Sequence, residues 1–206
     1  MNGFVSFTQP LDDLYPDPHF SSNIVAPLWI IINNTDEGNI SYIQATEGSL
    51  ITQATDALNG LYDKYNSSVT WVFVATWLNI PLELESNVTF QVVLITVDTD
   101  ESYVLMNYGD IPSFQEIWLA GFGVENKNNF LKLPVKDSSA LTSASNFGIP
   151  GRWVFSVYLG PKGTFILFSF WFDKVIFSFD YGTHSLWHRF DKLLQCHNIY
   201  FCPELH

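Results

Sequence analysis

The first 195 residues of this 206-residue chain contain no cysteine; its only two, Cys196 and Cys202, stand near the C-terminus. A disulfide scaffold is therefore excluded for the main body, whose stability has to come from an apolar core. Histidine is nearly as scarce, since His19 is the only one before His184. Residues 1–160 thus hold almost no side chain able to act as a general base near neutral pH. GxSxG, HExxH and CxxC motifs and a phosphate-binding loop are all missing. With 21 acidic residues some carboxylate pair is always available, which is no evidence of a site. No catalytic residue and no cofactor is expected.

Positive charge is also in short supply: nine basic residues face 21 acidic ones, a net charge of −12. Such a surface repels phosphate backbones, and no basic patch interleaved with aromatics offsets it, so a nucleic-acid partner is not expected. The opening Met1-Asn2-Gly3-Phe4 carries neither the basic nor the apolar region of a signal peptide. Long apolar runs are few. The densest, Thr164 to Phe179, has sixteen residues and is interrupted by Asp173-Lys174. A membrane span needs about 20 apolar residues, so this is expected to be an exposed apolar segment that favours association.

What the chain does have is aromatic and aliphatic bulk, with hydrophobic residues at 47% and aromatics at 17%. Thr70 to Trp77, TWVFVATW, is apolar on both faces: Trp71, Phe73, Ala75 and Trp77 on one side, Val72, Val74 and Leu78 on the other. That pattern places it inside a buried sheet. Further strands are predicted at Trp29–Ile32, Ile40–Ala45, Val88–Val97, Tyr103–Asn107, Trp118–Phe122, Phe130–Leu133 and Trp153–Leu159. A short one is predicted around Phe4, Val5 and Phe7, with the rest of residues 1–27 as loop. Asn33 to Asn39 reads as a turn, with Ile40–Ala45 returning from Trp29–Ile32 as a hairpin. Between Ser49 and Tyr65, Leu50, Ala54, Leu58, Leu61 and Tyr65 fall on one helical face, with Ser49 as N-cap. The expected fold is α+β: a mostly antiparallel β sheet or sandwich with one amphipathic helix packed on it.

Several motifs compete with plainer readings. Trp71, Trp77, Trp153, Phe90 and Phe155 are read as core. Gly109, Gly148 and Gly151 are read as conformational glycines in tight connections. Asp98, Asp100 and Glu101 begin like a calcium loop, but the glycine and distal glutamate of an EF-hand are absent, leaving a solvated hairpin turn. Asp110 is expected to cap a turn. In the tail, His184, His188, Cys196 and Cys202 have a spacing that fits no recognised zinc module. A Cys196–Cys202 bridge, or two idle thiols, is preferred. Four Asn-x-Ser/Thr sequons occur, at Asn33, Asn39, Asn66 and Asn87, which favours a secreted glycoprotein with those positions on its surface.

Several blocks, in order, carry a resemblance. Asn2 to Phe7 (NGFVSF) is similar to an NNGxxSF strand, Ala26-Pro27-Leu28-Trp29 to APFWAD, and Trp71 to Trp77 to TWAFIATW. Asn87 to Leu94 resembles NTFQAVL, Met106 to Ile111 resembles FNYGDI, and Asn146 to Phe155 is similar to NVGIPGRWVF. These are blocks of the NIDO domain, an extracellular module, and their wording is nearest its tectorin-like branch. The resemblance covers residues 2 to about 158, and implies a division into residues 1–159, a NIDO-like domain lacking its first strands, and residues 160–206, an unassigned aromatic-rich tail. It departs from the family where WADVD becomes Trp29-Ile30-Ile31-Ile32-Asn33, and in a start inside the first strand, as expected of a fragment or splice product. It implies a non-enzymatic extracellular or secreted module of a matrix or cell-surface glycoprotein, serving cell–matrix adhesion with matrix or cell-surface proteins as partners. A carbohydrate- or calcium-binding module is the alternative, and would need a groove combining Trp118 or Tyr103 with Asp98 and Asp110.

Overall fold

The computed structural model describes residues 2–7, 11, 15–20, 22–32, 38–61, 68–82, 86–98, 101–123, 130–159 and 165–168. Along the chain these form β1 (Val5–Ser6), β2 (Ile24–Trp29), β3 (Asn39–Ala45), α1 (Ser49–Leu61), β4 (Val69–Pro81), β5 (Asn87–Val97) and β6 (Ser102–Tyr108). There follow β7 (Leu119–Gly123), β8 (Leu131–Lys132), α2 (Ala140–Ser143), β9 (Arg152–Leu159) and β10 (Phe165–Phe168). Two sheets result, ordered β1-β2-β7-β8 and β10-β9-β6-β5-β4-β3, with every neighbouring pair antiparallel. The fold is α+β and mostly β, as the strand and helix patterning implied.

Side-chain alternation explains the packing. Inward residues of β4, β5, β6 and β9 (Trp71, Phe73, Ala75, Trp77, Phe90, Val92, Leu94, Val104, Met106, Trp153, Phe155) meet Val5, Val25, Leu28, Ala120 and Phe122 of the smaller sheet in one core. Trp77 stacks on Phe90 with ring centroids 4.8 Å apart, and Phe122 meets Phe155 edge-on at 5.0 Å. Behind the smaller sheet, Trp29 is enclosed edge-on by Phe4 and Phe20. On the far side of the larger sheet, Ala54 and Leu58 of α1 bury against Val69, Val72, Val93, Ile95, Val97, Tyr103, Leu105 and Val154. The predicted helical face is the one that packs, while Gln53, Asp56 and Asn59 are exposed.

Two local devices centre on Tyr108, the first joining the two sheets and the second joining β6 to the start of β9. The Tyr108 hydroxyl donates to the Pro27 carbonyl at 2.6 Å, deep in the core, and burial pushes the phenol pKa well above its ordinary value. The Tyr108 amide donates to the Gly151 carbonyl at 2.8 Å. Gly151 holds φ +73°, and a Cβ there would lie 2.9 Å from the Tyr108 carbonyl oxygen and 3.0 Å from that of Thr142. Only glycine combines that backbone with that approach.

Several boundaries differ from those expected. The strand near Trp29 is Ile24–Trp29, running through Pro27, which sequence reading treats as punctuation. Pro27 is accommodated because the β2–β7 register shifts between Ala26 and Trp29. No hairpin joins Trp29 to Ile40: β2 belongs to the four-stranded sheet, while β3 pairs with β4 in the other. A turn cluster between two apolar runs says the chain bends, not that the runs pair. Ser49 is the first helical residue and not the N-cap; the Gly48 carbonyl accepts the Thr52 amide at 3.3 Å, one position earlier. The helix is described to Leu61, and Tyr65 lies outside the described residues. The segment read as loop from Lys136 to Ile149 contains the single turn α2.

Candidate functional site

The outer face of the six-stranded sheet is laid out by five registered strands. Directly opposed residues on antiparallel strands share a face, so the registers of β3, β4, β5, β6 and β9 lay its side chains out in rows. Ala45, Val72, Ile95 and Tyr103 form one row, and Ile43, Val74, Val93, Leu105 and Val154 the next. Helix α1 lies over much of these two. The third row is wholly polar: Ser41, Thr76, Gln91, Asn107 and Arg152.

Within that row the side chains form a directed hydrogen-bond chain. Arg152 Nε donates to Asn107 Oδ1 at 3.0 Å, Asn107 Nδ2 to Gln91 Oε1 at 3.0 Å, and Gln91 Nε2 to Thr76 Oγ1 at 2.9 Å. All four are half-buried, and Ser41 at the end of the row is exposed. Fixed orientation along such a chain makes each bond polarise the next. Flanking it are two exposed aliphatic side chains, Ile43 at 56% and Leu78 at 43% exposure. The surface offers amide, hydroxyl and guanidinium groups beside apolar ones, which suits contact with another macromolecule and supplies no nucleophile–base pair.

The residues singled out from sequence distribute as follows. Asn39 and Asn87 are exposed and begin β3 and β5, at the end of the sheet where β4 finishes. Asn33, Asn66, Cys196, Cys202, His184 and His188 lie outside the described residues. Tyr103, at 2% exposure, is buried and donates its hydroxyl to Glu101 Oε2 at 2.7 Å. Asp98 accepts the Ser68 amide on its carboxylate and returns its own amide to the Ser68 carbonyl, both at 3.1 Å. Asp98 thus fastens the end of β5 to the start of β4. Asp110 is exposed, and its main-chain carbonyl, not its carboxylate, takes the Thr89 amide. Asp98 and Asp110 sit at opposite ends of β5, roughly 30 Å apart at ~3.4 Å per residue. The groove that a carbohydrate or calcium site would need from them is not assembled. Trp118 packs partly against the main core. Among the described residues no group of three or more His, Cys, Asp or Glu could hold a metal ion, and no helix is long and apolar enough to cross a membrane.

The polar row was not anticipated from sequence. Thr76, Gln91 and Asn107 each stand between two apolar residues, and that shared interruption is the signal; only the register reveals that they are neighbours.

Comparison with known proteins then places the chain. The model of the nidogen-like domain, NIDO, matches residues 1–158. Human alpha-tectorin is 28% identical over 186 residues, covering 76% of this chain and 8% of the tectorin. The mouse alpha-tectorin is 27% identical with the same coverage. Dendrite extension defective protein 1 of Caenorhabditis elegans is 28% identical over 148 residues, 66% of this chain and 13% of that protein. The chain therefore spans about a tenth of the length of these relatives. No solved structure matches it. On the extent of the family match, the chain belongs to the nidogen-like (NIDO) domain family.

Proposed function

We propose that this chain is a non-enzymatic extracellular module of a matrix or cell-surface glycoprotein, contributing to cell–matrix adhesion through the polar row on its larger sheet. The observation that carries this is the family match over residues 1–158, with alpha-tectorins among the relatives. Exposed sequons at Asn39 and Asn87 support a secretory route. The chemistry of the outer face supports contact over catalysis: its polar groups are amides, hydroxyls and one guanidinium, none of them a general base near neutral pH.

The test is attachment. The chain is secreted from animal cells behind a heterologous leader, coated on an inert surface, and offered to cells or to matrix proteins. Attachment above an albumin coat is expected, and Gln91→Lys should reduce it by placing an uncompensated charge in the row. Equal attachment to albumin overturns the adhesive role. Equal attachment by the variant moves the contact away from this face.

A further inference from the structure

We propose that an N-linked glycan on Asn39 guards the open edge of the six-stranded sheet against pairing with a second copy of the chain. The proposal rests on the secretory reading above. Four strands terminate the two sheets, and three are short: β1 and β8 have two residues each and β10 has four. Short edges offer little backbone to a stranger. Where β10 does not reach, β9 is closed by Asn146, whose side chain donates to the Val154 carbonyl at 2.6 Å and accepts the Val154 amide at 2.9 Å.

The fourth edge, β3, is managed differently. It has seven residues, Asn-Ile-Ser-Tyr-Ile-Gln-Ala, with no charge and no proline. Its register against β4 runs unbroken from Asn39 opposite Leu78 to Ala45 opposite Val72, so no bulge twists it away. Five of the seven residues are exposed, and no described strand pairs with its other side. Charge, proline, bulge, brevity and cover are the usual protections, and among the described residues this strand shows none. Uncharged and rich in β-branched and aromatic residues, such a strand can pair antiparallel with its own copy about a two-fold axis.

What the strand does carry is a sequon in its own first three residues, Asn39-Ile40-Ser41, with both Asn39 and Ser41 exposed. In the transfer, Asn39 Nδ2 bonds to C1 of the sugar, the lipid-linked diphosphate of the donor leaves, and the amide gives up one proton. Asn39 shares its face with Leu78, Ser41 and Ile43. The sugar therefore rises beside the two exposed aliphatic side chains and denies a second sheet its approach.

The full chain, secreted from animal cells behind a heterologous leader, tests this by site-resolved glycan mass spectrometry and light scattering. Asn39 should be occupied and the protein monomeric. Asn39→Gln and Ser41→Ala should both yield a species of about double the monomer mass, and adding Ile43→Lys to either should return the monomer by placing charge on the edge. Asn87→Gln, which removes a sugar elsewhere, should stay monomeric. An unoccupied Asn39, a monomeric Asn39→Gln protein, or equal association by Asn87→Gln overturns the proposal. Occupancy at Asn87 without Asn39 does so while leaving the secretory reading intact; absence of sugar at every sequon removes both.

Discussion

Asn146 does for the Val154 main chain what a neighbouring strand would do, presenting one donor and one acceptor in place of a peptide group. It is buried, so its loss leaves two main-chain groups without partners where water is excluded. Asn146→Ala is expected to lower stability by about 1–3 kcal/mol for each group orphaned, measured by urea denaturation. Asn146→Asp should be no better, because an ionised carboxylate cannot donate to the Val154 carbonyl. This residue was not legible beforehand: an asparagine among serines and alanines reads as loop, and its partner is set by how the loop folds back. Trp71, Phe73 and Trp77 were legible, since a period of two over an apolar run fixes a buried face whatever the partner strand is.

At the scale of elements, strands and helix were readable from periodicity, while pairings were not. Val88–Val97 lies within one residue of β5, and Ala54 and Leu58 of the apolar stripe of α1 are buried as its periodicity implies. Yet sequence order pairs β3 with the apolar run before it, whereas its partner β4 lies beyond the intervening helix α1. The short segment before β9 shows a second kind of hidden order. The Asp137 carboxylate accepts the Ser113 and Ser139 hydroxyls, each at 2.6 Å, and the Ser139 amide at 2.9 Å, tying residues 113 and 139 together. These hydrogen bonds, Ser113 first, hold its pKa below the usual carboxylate value. A lowered folded-state pKa means stability present above the ordinary carboxylate range and lost as pH falls through the folded value. Asp137→Asn should accordingly lower the melting temperature at neutral pH and flatten the acid side of the profile, the two proteins converging at low pH. An unchanged acid limb would show that the bonds do not survive in solution.

For the molecule as a whole, the blocks that carry the family resemblance turn out to be joints between distant strands. Tyr108 reaches Pro27, Gly151 receives the Tyr108 amide, Arg152 bonds Asn107, and Gly3 accepts the Leu28 amide. Their spacing along the chain showed membership; their meeting in space could not be read from it. β10, which lies beyond the last residue matched by the family model, pairs with Ser156 to Leu159 of β9. We propose that this added strand is part of the stable unit. A chain ending at residue 168 is then expected to melt higher than one ending at residue 159, by about 1–3 kcal/mol for the few ladder bonds involved. Equal melting by calorimetry would make β10 dispensable.

The two sheets also impose an order of assembly. Strands β4, β5 and β6 are consecutive hairpins, so a chain emerging from the ribosome can zip them one after another. Strand β2 emerges earlier than all of these, yet its neighbour β7 is synthesised only after them. Closing so long an excursion is slow. The tryptophan-lined inner face of the larger sheet must therefore wait, half-built and uncovered, until the lid whose first pieces were made at the outset can finally shut.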